Sequence, residues 1–362
     1  MSEPVPDARL TGPVLVVGAG LLGTSIGLAL RRHRVEVWLH DVNAENVRTA
    51  SGLGAGVPRP PGGVPALVVV AVPPDHLGSE IGRSLTDFPD AVVTDVGSVK
   101  SEPLARLHKA GAAGLERYVG SHPMAGSERS GPLAASASLF DGRPWAVTPH
   151  VDAAPGAVAT VLALAELCGA TPVTMPPDEH DVAVARISHV PHLLAVLMAG
   201  RLADAPTDHL ALSGQGVRDV TRIAAGDPAL WQQIVSGNAD AVLGLLGEVR
   251  GQLDLLIDAV TTGSRDELAV LLDRGVAGTR AIPGKHGGPT RPMRSVFVSV
   301  PDHPGELARL FADAGASEVN IEDVHIDHDP GRPVGLVELL VEEATAEHLL
   351  ASLESRGWVI HR

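Results

Sequence analysis

Four short segments carry residue types that do chemistry. Gly18-Ala19-Gly20-Leu21-Leu22-Gly23 spaces three glycines as GxGxxG. Thr94-Asp95-Val96-Gly97-Ser98-Val99-Lys100 puts a hydroxyl at the end of an apolar run. Gly120-Ser121-His122-Pro123-Met124-Ala125-Gly126-Ser127-Glu128-Arg129-Ser130-Gly131 sets one imidazole in a glycine-rich stretch. Arg218-Asp219-Val220-Thr221-Arg222-Ile223-Ala224 carries two arginines and is followed by Asp227-Pro228-Ala229-Leu230-Trp231. A neutral imidazole accepts a proton near neutral pH. A guanidinium grips a carboxylate with two charge-assisted hydrogen bonds. Each also has a plainer reading. His122 would be a loop histidine bonded to backbone, Ser98 a helix N-cap before Val99, and Arg222 a surface residue on an amphipathic helix. Asp219, three residues before Arg222, would share its helix face and hold the guanidinium.

The glycine motif gains meaning from the elements around it. Pro13–Val17 reads as a buried strand and Gly20–His33 as a helix. Gly18 then allows the tight turn, Gly20 the close approach of a pyrophosphate, and Gly23 close helix–strand packing. Leu21 and Leu22 open the helix whose free N–H groups favour an anion. Asp41 follows Gly18 by 23 residues and ends a second strand, Val35–His40. A carboxylate there accepts from ribose hydroxyls and repels a 2′-phosphate, so NAD is expected over NADP. Further strands are expected at Leu67–Val72, Ala91–Val96, Tyr118–Gly120, Trp145–Thr148 and Pro172–Thr174. Val72 and Pro73 would lie beside the cofactor at the carboxyl edge. Apolar β-branched runs that alternate with helices predict a parallel sheet covered on both faces.

From Pro177 the spacing turns helical, over Asp178–Asp204, Gly216–Gly226, Pro228–Val260 and Ser264–Ala277. Ile282–Met293 is rich in Pro, Gly and basic residues and reads as a linker. After it comes a β-α-β-β-α-β order, the ferredoxin-like pattern. The expected domains are therefore 1–176, an α/β Rossmann domain; 177–281, an all-α helical domain; 282–293, the linker; and 294–362, an α+β module.

Composition narrows the function. The 362 residues carry 28 Lys+Arg against 43 Asp+Glu, a net charge of −15 with 2% aromatics. Clustered bases for phosphates and rings for stacking are both scarce, which argues against nucleic acid as a partner. The single cysteine, Cys168, allows no internal disulfide and suits a reducing cytosol. No signal-like N-terminus and no apolar run near 18 residues is found, so a cytoplasmic protein without a membrane partner is expected.

Three of the segments, in this order after a nucleotide fingerprint, resemble the prephenate/arogenate dehydrogenase family. The His122 segment resembles its GxHPxAGxExSG signature, the Ser98 segment its DxGSxK loop, and the Arg222 segment its RDxTRIAxxDPxxW helix. Ser188-His189-Val190-Pro191-His192 resembles its SHxPH segment. The resemblance implies oxidative decarboxylation with NAD. The substrate's C4 hydroxyl loses a proton as C4 loses hydride. It assigns His122 as hydrogen-bond acceptor or base, with Ser98 beside it. It assigns Arg222 to the ring carboxylate, Glu128 and Ser127 to the entrance, and His192 or His189 to the substrate. A metal pair at His189 and His192 lacks a third ligand, so no metal is expected.

The C-terminal module resembles an ACT domain, carried by Asp302-His303-Pro304-Gly305-Glu306-Leu307 and Val319-Asn320-Ile321-Glu322-Asp323. That resemblance implies an amino-acid effector, tyrosine, near Asp302, Pro304, Gly305, Asn320 and Ile321. The helical domain is expected to form a homodimer. Alternatives keep the fold and change the substrate to arogenate or 4-amino-4-deoxyprephenate. The β-hydroxyacid dehydrogenases share the layout but use a lysine that Asp178–Asp204 lacks. An NAD-binding amino-acid sensor leaves Ser98, His122 and Arg222 without a role.

Overall fold

The computed structural model describes residue 10 and residues 12–126, 129–282, 292–328 and 334–361. The chain divides into two compact units, residues 1–252 and 253–362.

Unit one opens with β1 (Val14–Val17), α1 (Leu21–Arg32), β2 (Val37–His40), α2 (Ala44–Gly52), β3 (Val57–Pro58), β4 (Leu67–Val70) and α3 (Pro74–Asp87). It continues with β5 (Val92–Asp95), α4 (Ser101–Lys109), β6 (Tyr118–Pro123), β7 (Pro144–Thr148), α5 (Pro155–Leu167) and β8 (Thr171–Thr174). The sheet order is β3-β2-β1-β4-β5-β6-β7-β8. Its first six positions follow the doubly wound dinucleotide-binding order. Every residue of β1 and β4 is buried, because helices cover both faces. Val14, Val16 and Val69 pack with Ile26, Leu30, Val161 and Leu164 of α1 and α5. Leu15, Val68 and Val70 pack on the opposite face with Leu77, Ile81 and Leu107 of α3 and α4. Each such side chain contributes about 1.5–3 kcal/mol by leaving water.

One pairing departs from the expected parallel sheet. β6 and β7 run antiparallel, with Gly120 opposite Thr148 and His122 opposite Ala146. A parallel neighbour needs a crossover helix. The described residues between β6 and β7 supply only a short 3-10 turn, Pro132–Ala134.

The helical part of this unit holds α6 (Pro177–Val184), a π-helical turn over Ala185–His189, α7 (Val190–Gly200), α8 (Thr207–Leu210), α9 (Gln215–Arg222), α10 (Pro228–Gly237) and the start of α11 (Ala239–Thr262). The expected helix over Pro228–Val260 is therefore two helices, broken at Asn238. Its side chain is drawn into hydrogen bonds away from the helix. The α6–α7 stretch, Pro177–Gly200, is long and apolar enough to cross a membrane by composition. It buries His180, Asp181, His189 and His192 instead, four polar groups that a lipid environment would penalise. α9 buries no residue, and Leu197, Met198, Leu212 and Leu243 are exposed.

Unit two contains the end of α11, then α12 (Arg265–Arg280), β9 (Met293–Pro301), α13 (Glu306–Gly315), β10 (Asp323–His328), β11 (Val334–Glu342), α14 (Glu343–Ser355) and β12 (Val359–His361). Its sheet order is β10-β11-β9-β12, and all neighbours are antiparallel. That is the ferredoxin-like arrangement expected from the element order. Alternate residues Val296, Val298 and Val300 meet Leu349, Leu350 and Leu353 beneath the sheet. β9 starts at Met293, inside the segment expected as linker, and residues 283–291 of that segment lie outside the described residues.

Candidate functional site

The glycine motif turns where β1 meets α1. Gly18 has φ +102°, and a side chain there would meet the Ala71 carbonyl at 2.2 Å. A side chain on Gly23 would lie 1.9 Å from the Gly18 carbonyl. Gly20 faces open space. α1 begins with no side-chain cap and no acid in its first turn, so its leading N–H groups remain available to an anion. Asp41 follows β2 directly. Its Oδ2 accepts from Ala19 N at 2.7 Å, inside the glycine motif, and its Oδ1 accepts from Asn43 N at 2.7 Å. The carboxylate therefore braces the glycine turn from the end of the second strand. Leu21 and Leu22 open α1, and Pro73 caps α3 directly after Val72. These residues fit a dinucleotide: a diphosphate over Gly20 and the α1 terminus, a ribose at Asp41, and Val72–Pro73 along the edge.

His122 is not a loop residue. It lies in β6, where the sheet holds its backbone rigidly. Its Nδ1 sits 3.0 Å from Nε2 of His180, whose own Nδ1 sits 2.9 Å from Oδ1 of Asp181. Asp181 is the hub of the site. Its Oδ1 also accepts from Lys100 N at 2.9 Å, and its Oδ2 from Ser101 N at 2.8 Å. The expected cap by Ser98 does not form. α4 starts at Ser101, its leading N–H groups are capped from α6 by Asp181, and Ser98 is left half-exposed. Ser98 follows the end of β5 as His122 follows Gly120 on neighbouring β6, which sets both at one edge of the sheet.

Beneath them lies a buried charge pair that sequence reasoning missed. Lys100 and Asp95 are 1% and 0% exposed and pair directly. Lys100 Nζ also donates to the Ser121 carbonyl at 2.6 Å, next to His122. Asp95 accepts from Tyr118 Oη at 2.8 Å and from Gly97 N at 2.9 Å. Burial pulls the Lys100 ammonium below its ordinary pKa, against the opposing pull of Asp95.

Burial holds His122, His189 and His192 below the ordinary imidazole pKa. Burial, then the neighbouring His180, Lys100 and His189, press His122 well below 6.5. Burial lowers His189 to about 4. Burial also lowers His192, against a backbone bond at Ile223. For Asp181, burial pushes the carboxyl up, but hydrogen bonds from His180 and Ser101 outweigh it and hold it ionised.

Asn238 extends the network. Its Nδ2 donates to the Asp181 carbonyl at 2.8 Å and lies 3.1 Å from His189 Nδ1. A carbonyl only accepts, so the atom facing it is the amide nitrogen. His189 Nδ1 must then accept, which leaves its Nε2–H free as a donor. His192 stacks on Trp231, with ring centroids 3.5 Å apart and planes 5° from parallel.

Arg222 ends α9 and is exposed. Asp219 does not hold it; Asp219 accepts from Gln215 at 2.9 Å, one helical turn away. The guanidinium is left for another partner. Asp227, next to the same motif, caps α10 through Ala229 N at 2.9 Å. Ser127 and Glu128 lie outside the described residues. In unit two, Gly305 has φ +96° and precedes α13, with Asp302 and Pro304 exposed beside it. Asn320 Nδ2 donates to Glu322 at 2.6 Å, and Ile321 packs against the module core.

His180, Asp181, Asn238 and Lys100 were not anticipated as site residues. The only signal for the first two was an acid-rich helix start, Asp178-Glu179-His180-Asp181, which also reads as an ordinary first turn.

Residues 26–174 match the family model "Prephenate dehydrogenase, nucleotide-binding domain", and residues 176–274 match "Prephenate dehydrogenase, dimerization domain". The chain is 36% identical over 355 residues to the probable prephenate dehydrogenase NovF of Streptomyces niveus, covering 95% of this chain and 98% of that one. This chain belongs to the prephenate dehydrogenase family. The prephenate dehydrogenase of Bacillus subtilis is 27% identical, covering 88% of this chain and 89% of its own. Among solved structures, the prephenate dehydrogenase of A. aeolicus in complex with hydroxyphenyl propionate and NAD+ aligns with a TM-score of 0.69 at 27% identity, over 75% of this chain and 99% of that one. As in other members of the family, a dinucleotide-binding sheet domain here precedes a helical dimerization domain.

Proposed function

We propose that this chain catalyses the NAD-dependent oxidative decarboxylation of prephenate to 4-hydroxyphenylpyruvate, a step of tyrosine biosynthesis. One observation carries the reading. A neutral imidazole, His122, is fixed on the sheet by a hydrogen-bonded histidine and carboxylate, in a chain whose glycine motif leaves room for a dinucleotide.

NAD, when bound, supplies the hydride acceptor. Gly18, Gly20, Gly23, Leu21, Leu22, Asp41, Val72 and Pro73 hold it. His122 accepts a hydrogen bond from the substrate's C4 hydroxyl and polarises it as C4 gives up hydride. Ser98 bonds the same hydroxyl from the adjacent strand end. The ring loses its carboxylate as CO2 and becomes aromatic. Charge balance returns the shared proton to the phenol oxygen, so no net proton leaves. Arg222 binds the ring carboxylate in a bidentate pair, unencumbered by Asp219. His189, through Nε2–H, and His192 face the side-chain end.

We assign residues 1–176 to the nucleotide domain, 177–281 to the helical domain and 294–362 to an ACT regulatory module. Helices α9 and α12 bury no residue within the chain, and a second copy covering their apolar faces makes the protein a homodimer. In the module, Gly305 and Asn320 flank opposite ends of α13. One pocket that uses both turns takes two copies, and tyrosine is its proposed ligand. The cytoplasm suits the single buried thiol, Cys168.

The test is NADH absorbance with prephenate or arogenate, each with NAD or NADP. Prephenate with NAD is expected to be the preferred pair. Higher kcat/KM for arogenate would overturn the substrate assignment. Tyrosine inhibition that persists unchanged in Asn320→Ala would remove the effector site from the module.

A further inference from the structure

We propose that His180 and Asp181 form a relay that locks His122 in one tautomer and carries its developing charge. The inference rests on the proposed role of His122 and deepens it.

For neutral imidazoles the hydrogen-bond geometry assigns each proton in turn. Asp181 is acceptor-only when ionised, and its Oδ1 faces His180 Nδ1 at 2.9 Å. His180 therefore carries its proton on Nδ1, and its Nε2 is bare. That bare nitrogen faces His122 Nδ1 at 3.0 Å, so His122 must donate through Nδ1–H. Its remaining nitrogen, Nε2, is left with a free lone pair. This is the acceptor that the substrate hydroxyl requires. The opposite tautomer would set a proton where the hydroxyl's own proton must go.

The relay is over-determined. Asp181 is fixed by two backbone N–H groups, of Lys100 and Ser101, and by the Asn238 amide on its carbonyl. The other charged or titratable groups facing His122 are already committed. Lys100 is paired with Asp95, and His189 accepts from Asn238. As the substrate oxygen becomes more acidic in the transition state, positive charge grows on His122. The relay passes it by polarisation toward Asp181, with no proton required to leave the site. His180 and Asp181 are positioning residues; neither is asked to touch substrate.

Two variants of His180 separate acceptor chemistry from packing. His180→Leu fills the buried space without an acceptor. His180→Gln keeps a carbonyl that accepts from His122 Nδ1–H. The expected result is a fall in kcat of about 10²-fold or more for His180→Leu, with KM for prephenate within about threefold. His180→Gln is expected to recover at least tenfold of that loss. The ligand-free wild type, labelled with 15N-histidine, is expected to show His122 protonated on Nδ1 and bare on Nε2, and His180→Leu a mixture. A His180→Leu enzyme within twofold of wild-type kcat overturns the relay, and so does a wild-type spectrum with the proton on His122 Nε2. If His180→Leu does not fold, the wild-type spectrum decides. A wild type inactive on prephenate overturns the proposed function, and the spectrum, which needs no substrate, then judges the relay alone.

Discussion

The imidazole of His192 lies flat on the indole of Trp231, with centroids 3.5 Å apart. The stack joins two segments that resemble family motifs, SHxPH and RDxTRIAxxDPxxW, across 39 residues of sequence. Trp231 also meets His189 edge-on at 6.1 Å. Trp231→Leu is expected to release both rings and raise KM for prephenate by about fivefold, the worth of roughly 1 kcal/mol of aromatic contact. Steady-state kinetics check this, and Trp231→Phe should fall between. An unchanged KM in Trp231→Leu would show that the stack only packs the helices.

The Lys100–Asp95 pair is buried beside β6, the strand that carries His122. Lys100→Met leaves a carboxylate stranded there and is expected to cost about 3–5 kcal/mol of stability. Adding Asp95→Asn should recover part of the loss, because the stranded charge is gone. Urea denaturation of wild type, single and double variants measures both. A double variant no more stable than the single would show that the carboxylate is not the source of the cost.

Much of the candidate nucleotide site was legible in the sequence, and much of the network around His122 was not. Gly18, Gly23 and Asp41 sit in one strand–turn–helix–strand unit whose motif spacing reports them, although Gly18 also closes on the distant Ala71 carbonyl. His180, Asp181 and Asn238 act across 58, 80 and 57 residues of separation in their bonds to His122, Ser101 and Asp181. No local period encodes such pairs. Lys100 misleads in another way: lysine is rarely buried, so a loop lysine reads as solvated. The antiparallel β6–β7 pairing was hidden because an apolar run shows burial and not direction. His122 read as a loop residue because its glycine and proline neighbours mimic turn chemistry.

Acid is expected to destabilise the fold before it stops the chemistry. His189 has its pKa lowered from 6.5 to about 4, and His122 is lowered in the same direction. Between those values the unfolded chain binds protons that the folded chain refuses, so stability rises with pH. The His189 contribution is complete above about 6.5 and fades as pH falls toward 4, about 3 kcal/mol in all. Urea midpoints should therefore fall from pH 7 to pH 5. kcat/KM should stay flat from pH 8 down to 6.5, because His122 remains neutral there. A constant midpoint from pH 7 to pH 5, or a kcat/KM that halves by pH 6.5, would contradict the lowered values.

Asp41 accepts from Ala19 N with the oxygen that faces the glycine motif. Asp41→Ser removes the charge that repels a 2′-phosphate. The ratio of kcat/KM for NADP over NAD is expected to rise about tenfold, equivalent to roughly 1.4 kcal/mol. Cofactor kinetics at saturating prephenate measure it. An unaltered ratio would place Asp41 away from the adenosine ribose and leave it only its bracing role.

The central claim is that His122 accepts the hydrogen bond of the substrate hydroxyl during NAD-dependent decarboxylation. Its most direct test is NADH formation from prephenate by the wild type and by His122→Asn, with NAD affinity measured on both. The expected result is wild-type turnover, a loss of kcat of about 10²–10⁴ in the variant, and unchanged NAD binding. A folded His122→Asn enzyme that turns over prephenate at the wild-type rate would contradict it.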